Sequence, residues 1–269
     1  MSARVLKFIQ INIYKGKYFE ALLDFLKKQD ADVITMQEVT VGGFNLTDDK
    51  SVNLFEILKE KLKLNGVYYG DLKLTGSADS SFGNAVLTKF EIKKSRVITL
   101  KKFRPVSLEE LDGASAFEIR PKISRHMLDV LVGSPIGGLH VLSVHGAWTA
   151  PPQDTPENLR QAELIKYYLK LLNKDDQPFV LGGDLNVTPN TKVINMINSV
   201  ANNLMINSPF EYTTHPKIHK IVPRKFLVDY IFSSKHFKIL SLDVPEVTIS
   251  DHLPVVAELE LMENSPPFW

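Results

Sequence analysis

Val180-Leu181-Gly182-Gly183-Asp184-Leu185-Asn186 is the stretch from which the fold can be read. The apolar run Phe179 to Leu181 reads as a short buried strand. Two glycines then allow a tight turn and close approach to another group. Asp184 and Asn186 follow at a spacing of two, and Thr188-Pro189-Asn190 leads toward a helix. A strand that delivers an acid and an amide to its carboxyl end is a common way to build a site. Taken alone, the same residues also describe a turn in which Asp184 and Asn186 only bond the backbone.

Immediately upstream, Glu157 to Leu172 repeats apolar residues at helical spacing. Before it lies the strand Leu139 to Val144, ended by His145, and a proline-containing loop with Trp148. A short helix is expected over about 192 to 200, followed by a polar, irregular stretch from Ala201 to Pro223. Phe226 to Val228 leads into Asp229, and Val247 to Ile249 leads into Asp251-His252. Val255 to Leu261 is a last strand, and Glu263 to Trp269 a tail. At the other end, Val5 to Ile13 reads as a strand ending near Asn12. A helix over Tyr18 to Lys28 and a strand over Asp32 to Met36 follow, with Gln37-Glu38 at the strand's end. This β-α-β opening puts Asn12 and Glu38 at one sheet edge if the strands are parallel neighbours. Helical spacing returns at Leu54, Phe55, Leu58 and Leu62. Strands are expected at Val67 to Tyr69, Gly83 to Thr88, Arg96 to Leu100, Ala114 to Ile119 and Arg125 to Val132. Thr75 to Ser81 is small and polar, a candidate mobile surface loop.

The whole chain, 1–269, reads as one domain: two mixed β-sheets packed face to face with helices outside, an α+β, four-layer α/β/β/α sandwich. Hydrophobic content is 44%, which provides for a sizeable core. With 32 basic and 31 acidic side chains, the formal charge of +1 gives no global pull toward nucleic acid or membrane. The absence of cysteine excludes disulfides, thiolate chemistry and cysteine metal sites. No apolar run approaches the ~20 residues of a membrane span. No signal peptide is seen, so a cytoplasmic location is the default expectation, and a monomer is expected.

Glu38, His145, Asp184, Asp229 and the pair Asp251-His252 each follow an apolar run. If those ends converge, they form an acid-rich pocket with two imidazoles. Carboxylates gathered in this way call for a cation to offset their repulsion. Oxygen ligands without cysteine favour Mg²⁺ or Mn²⁺ over Zn²⁺. A hard cation beside acid/base histidines points to phosphoryl chemistry.

Asn12, Gln37-Glu38, Gly83-Asn84-Ala85, His145, Arg160-Gln161, Gly183-Asp184-Leu185-Asn186, Asp229-Tyr230-Ile231 and Ser250-Asp251-His252-Leu253-Pro254 occur in a telling order. From Val5 to Leu261 the chain thereby resembles the endonuclease/exonuclease/phosphatase superfamily, the DNase I-like group. The paired Gly-Asp-x-Asn and Ser-Asp-His-x-Pro motifs, with Gln-Glu upstream, are its specific part. The resemblance implies a hydrolase with Mg²⁺ as cofactor, Mn²⁺ as a substitute, and a phosphate-ester substrate such as nucleic acid. It implies that Glu38 holds the cation, with Asn12 and Asp251 close to it. By the same resemblance Asp184 orients or deprotonates the attacking water, and Asn186 binds the phosphate. His252 contacts a phosphoryl oxygen while Asp229 fixes its tautomer, His145 is a second donor, and Asn84 ranks lower as support for substrate binding.

The chain departs from the exonuclease III and abasic-endonuclease branch. That branch usually has Asp where Tyr14 stands and Tyr where His145 stands, so abasic-site cleavage is not expected. Phosphodiester hydrolysis, foremost by a nuclease, is the leading expectation. A phosphatase or lipid phosphodiesterase acting on inositol-phosphate-like or phospholipid substrates is the alternative, and a non-catalytic phosphate-ligand binding module is the contrasting class. His215 and His219, in their polar loop, read as solvated. Tyr14, Phe82 and Trp148 read as core or rim packing, although each lies near enough to a motif to stack on a ring. Lys15 and Lys17 follow Asn12 and can border the site.

Overall fold

Apolar alternation along the first strand sets the layers. In β1 (Val5–Asn12), Leu6 and Phe8 enter the core between two sheets, and Gln10 and Asn12 share their face by the two-residue period. Ile9 and Ile11 point the other way, into a separate cluster with Leu22, Leu23 and Leu26 of α1 (Phe19–Gln29). The remaining elements are β2 (Val33–Val41), α2 (Leu54–Leu62), β3 (Asn65–Lys73), β4 (Ser81–Thr88), β5 (Glu91–Lys101), α3 (Leu108–Gly113), α4 (Ala116–Ile119), β6 (Arg125–Ser134), β7 (Gly137–His145), α5 (Pro156–Lys174), β8 (Phe179–Asp184), α6 (Lys192–Asn198), β9 (Asn202–Asn203), β10 (Asp229–Ser233), β11 (Phe237–Asp243) and β12 (Val255–Leu261). The computed structural model describes residues 5–262 apart from 43, 45, 50, 76–79, 114, 135–136 and 221–224, and apart from the side chains at 108, 112 and 116. The expected tail and most of the expected loop at 75–81 therefore lie outside the described residues.

One sheet has the order β11-β12-β1-β2-β4-β3 and the other β5-β6-β7-β8-β10-β9. Only β1–β2 and β7–β8 are parallel pairs among the described strands. The sheets face each other with β1 over β8, β2 over β7, β4 over β6 and β3 over β5. Helices α1 and α2 cover one outer face, and α5 with α6 covers the other. The result is the expected α+β sandwich of two mixed sheets flanked by helices.

Three expectations are corrected. Gln37-Glu38 do not end a strand, because β2 continues to Val41. Between Met36 and Val39 the register against β4 slips by one residue, and Glu38 adopts φ 55°. Strict alternation would put Glu38 on the helix-covered face with Ile34 and Met36. The bulge re-aims it. Second, the strand expected over 114–119 is the helix α4. Ser115 and Glu118 form its start, with Glu118 Oε2 accepting from Ser115 N at 2.8 Å and Ser115 Oγ at 2.7 Å. This Ser-x-x-Glu signal outweighs the short apolar run. Third, Phe226 to Val228 is not a strand ending at Asp229. Asp229 opens β10, which runs antiparallel to β8 and pairs Asp229 with Asp184. Strand β11 and helix α3 were not anticipated; β11 is a sheet edge with most of its side chains exposed.

The interior between the sheets is polar beneath the end that carries Asn12 and Asp184. Thr35 Oγ1 donates to Gln10 Oε1 at 2.8 Å, and Gln37 Nε2 donates to Gln10 Oε1 at 3.0 Å. Gln37 Nε2 also reaches Ser143 Oγ of the opposite sheet at 3.2 Å. Gln10 Nε2 donates to Gln37 Oε1 and lies 3.4 Å from Asp229 Oδ1. Gly182 makes room for this layer: a Cβ there would lie 2.1 Å from Thr35 Oγ1 and 2.9 Å from Gln10 Oε1. Gly182→Ala is therefore expected to cost about 1–3 kcal/mol through overpacking. Urea denaturation measures this, and a variant as stable as the parent would refute the close approach.

Candidate active site

Register brings the polar residues of the second sheet to one level. His145 ends β7 opposite Asp184 at the end of the parallel β8, and Asp229 faces Asp184 from the antiparallel β10. Asn12 ends β1 beside Gln37 in the first sheet. The loop before β12 supplies Asp251 and His252. Ser250 ties that loop down, with Oγ donating to Asn12 O at 2.5 Å and accepting from His252 N at 3.2 Å. The loop after His145 is pinned by Gln161 of α5, whose Oε1 accepts from Ala147 N at 3.0 Å.

A cleft of about 240 Å³ opens over this level. Asn12, Glu38, His145, Asp184, Asn186, Asp251 and His252 line it. Asp229 lies beneath the cleft and is inaccessible to solvent. Asn84 is not brought there. Its Nδ2 is fully buried, donating to His126 O at 2.8 Å and lying 3.3 Å from Asp71 Oδ2.

Asp184 is the hub. Its Oδ2 accepts from Asn12 Nδ2 at 3.1 Å, and its Oδ1 accepts from Asn186 N at 3.0 Å. His145 Nε2 lies 3.5 Å and His252 Nε2 3.8 Å from Oδ2. The other nitrogen of His252, Nδ1, is 2.8 Å from Asp229 Oδ2. Asn186 Nδ2 donates to Gly146 O at 3.2 Å, closing the two loops on each other. Four non-glycine residues with left-handed backbone gather here: Tyr14, Lys15, Glu38 and Asn186, with φ of 48°, 51°, 55° and 55°. Such conformations cost of order 1–3 kcal/mol each and cluster where a surrounding structure enforces them.

Burial works against the charged forms of Asp184, Asp251, His145 and His252. It pushes the Asp184 carboxyl up, and His252 and Asn12 only partly offset it. The Asp251 carboxyl is pushed up to about 6 by burial, opposed by His252 and reinforced by Glu38. Burial lowers His145 well below the ordinary imidazole range, with Arg125 and His252 adding to it. For His252 burial also acts downward, but Asp229 and then Asp184 outweigh it and hold the ring well above that range. Burial thus favours the neutral form of His145, while Asp229 and Asp184 favour the cationic form of His252.

The donor set fits a hard divalent cation. Glu38 and Asp251 both line the cleft, Glu38 adds to the rise of the Asp251 carboxyl, and the Glu38 side chain makes no hydrogen bond or ion pair among the described residues. Asp184, Asp229 and His252 present ligand atoms within 4.8 Å of one another, as do His219, Asp251 and His252.

Of the two loop histidines expected to be solvated, His215 is buried and His219 is partly exposed. His215 is 5% exposed, with Nε2 3.1 Å from Thr248 Oγ1, and its backbone N–H donates to Asp251 O at 2.8 Å. His219 lines the cleft edge-on to His252, ring centroids 5.5 Å apart. Their loop carries no periodic signal that could have placed them. Phe82 is buried core, as expected. Tyr14 and Trp148 line the cleft rim, each with a cation on its face: Lys220 Nζ lies 5.7 Å from the Tyr14 ring and Arg120 Cζ 4.1 Å from the Trp148 ring.

A sequence profile of the Endonuclease/Exonuclease/phosphatase family matches residues 9–252. The chain belongs to this family. Its members are phosphoesterase hydrolases, and so is this protein. No curated protein matches the sequence. Solved structures share the fold. An endonuclease/exonuclease/phosphatase from Bacteroides vulgatus superposes with a TM-score of 0.71 at 20% identity, over 96% of this chain and 99% of that one. The human Nocturnin catalytic domain with bound sulfate gives 0.69 at 16% identity, over 97% and 96%. A mannosyl-6-phosphatase from Bacteroides thetaiotaomicron gives 0.69 at 17% identity, over 94% and 99%.

The raised Asp251 carboxyl yields a stability test. Its ordinary value is 3.8 and its folded value about 6, so between those values the folded state binds a proton that the unfolded state has lost. Stability then falls as pH rises through that window, by on the order of 3 kcal/mol. Without metal, at pH 7, Asp251→Asn should therefore unfold at a higher temperature than the parent. Thermal unfolding in EDTA checks this; a variant less stable than its parent in EDTA at pH 7 would contradict the electrostatic account.

Proposed function

We propose that the protein is a Mg²⁺-dependent phosphodiesterase, foremost a nuclease, with Mn²⁺ as a substitute ion. The observation that carries this reading is Asp184, held by Asn12 and Asn186 and set between the imidazoles of His145 and His252, whose Nε2 atoms lie 3.5 and 3.8 Å from its Oδ2. Glu38, Asp251 and the side-chain oxygen of Asn12 hold the cation. When bound, it neutralises charge on the phosphoryl oxygens and polarises phosphorus.

Asp184 orients a water through Oδ2 and takes its proton as the water oxygen bonds to phosphorus. A carboxyl raised toward neutrality suits a general base. The bond from phosphorus to the leaving oxygen breaks as charge grows on the phosphoryl oxygens; its electron pair stays with the leaving oxygen, which takes a proton from water. His252, cationic on Asp229, donates from Nε2 to one of them. His145 is a neutral donor, and Asn186 orients the phosphate. Asn84 keeps a supporting role in the buried layer, away from substrate. Trp148 with Arg120, and Tyr14 with Lys220, give the rim paired aromatic and cationic groups suited to a nucleotide beside its phosphate.

A panel of plain DNA and RNA, abasic duplex, bis-p-nitrophenyl phosphate and phosphorylated sugars tests the reading. Diesters should be preferred in Mg²⁺ or Mn²⁺, with no preference for the abasic duplex. Hydrolysis of monoesters alone would refute it. Glu38→Gln should lose most activity and need far more Mg²⁺ while staying folded.

The dyad makes a separate claim. His252→Ala and Asp229→Asn should each cut turnover by about a hundred- to ten-thousandfold, with smaller changes in KM. The double variant should be little worse than His252→Ala alone. Multiplicative losses would mean that Asp229 acts independently of His252.

A further inference from the structure

A second cavity, of about 300 Å³, opens along the same rim of the sandwich. The cleft sits where β1 and β2 face β8 and β7. The second cavity sits two strand positions along, where the end of β3 faces the end of β5 and the start of β6. At about 4.8 Å per strand, the two are separated by about 10 Å.

This cavity has a built polar floor. His126 lines it and is 7% exposed, and Tyr69 packs edge-on against its ring with centroids 4.7 Å apart. Its Nδ1 is committed to Asp71 Oδ1 at 2.7 Å, while Nε2 has no hydrogen-bond partner among the described residues. Asp71 also lines the cavity and is buried; burial pushes its carboxyl up, and its hydrogen bond to His126 and the Arg125 guanidinium oppose that rise without cancelling it. Around the mouth stand Lys73, Lys102 and Arg104. Arg104 is committed to Glu110 through two contacts of 3.0 Å. Lys73 lies over the Tyr69 ring, and Lys102 makes no ion pair among the described residues. Carrying both protons, the imidazole gives Nδ1–H to Asp71 and has Nε2–H left to donate to a phosphate oxygen beside the two lysines.

We propose that this cavity is a second anion subsite, taking a further phosphate of the ligand whose scissile phosphate lies in the cleft. This rests on the phosphodiester reading above and narrows it to substrates carrying two or more phosphates. His126 and the two lysines are binding residues and take no part in the bond-breaking step. Two sources share the chemistry: the next linkage of a nucleic acid strand, or the headgroup phosphate of a phosphoinositide-like diester.

Binding is tested apart from catalysis. In Glu38→Gln protein, inorganic phosphate should move the imidazole NMR signals of His126 saturably. Those signals are assigned by their loss in His126→Gln. In Lys73→Ala/Lys102→Ala, whose exposed changes leave the Asp71–His126 pair intact, affinity should fall roughly tenfold. No movement, or equal affinity in the lysine variant, overturns the subsite even if the enzyme proves to be a phosphodiesterase. The link to substrate is tested by kinetics. The lysine variant should raise KM roughly tenfold for a hexanucleotide or for a glycerophosphoinositol phosphate, with kcat unchanged and bis-p-nitrophenyl phosphate unaffected. Whichever ligand responds identifies the source. Equal effects on the one-phosphate and two-phosphate substrates, or none on either, overturn the extended ligand. Absence of hydrolysis of every diester would count against the phosphodiester reading and leave the phosphate-binding result standing by itself.

Discussion

The molecule depends on one carboxylate that never meets water. Asp229 lies between the two sheets, with its backbone N–H on Thr213 Oγ1 at 3.0 Å, one carboxylate oxygen near Gln10 and the other on His252. A charge in that position is tolerated only because donors surround it. Those donors are Gln10 of the opposite sheet and His252 of the loop before β12. Sliding one sheet over the other would therefore break the apolar contacts and also strand an ion. The glutamine layer of Gln10 and Gln37 extends the same constraint across to Ser143.

Around this anchor the protein accepts local disadvantages. Acids are packed close enough to raise one another's proton affinity, and four non-glycine residues are held in left-handed backbone. Both features weaken the fold locally. The bulge at Glu38 is the clearest case, since a regular strand would have turned that carboxylate away from the cleft.

Much of this was legible in the sequence. The two-residue alternation of β1 already placed Gln10 and Asn12 behind Leu6 and Phe8, and α1, α2 and α5 were visible from their periodicity. The motif order gave the two-sheet sandwich and the residues that would have to meet. The bulge was not legible, because it depends on a register slip against β4 that leaves no trace in composition. The exposed edge strand β11 carries charges in place of a full apolar face. Helix α4 was misread because a short apolar run concealed its Ser-x-x-Glu start. His219 and His215 are placed by a polar loop that folds over the loop before β12, a tertiary contact with no local signature. The cationic rim formed by Arg120 and Lys220 was hidden for the same reason, in a chain whose charges nearly cancel.

Strand β12 lies beside β1, pairing Val5 with Glu260 and Gln10 with Val255. The first strand made is thus completed by the last, and the loop that carries Asp251 and His252 can dock only when that final pairing forms. Contacts of such long sequence separation form late, after costly loop closure. During translation, a chain extended as far as α6 already holds Asn12, Glu38, His145, Asp184 and Asn186. It has neither member of the Asp229–His252 pair. Under the roles proposed above, such a partial chain lacks the imidazole and the carboxylate that would act on a phosphate ester, and a complete site forms only when β12 closes the sheet.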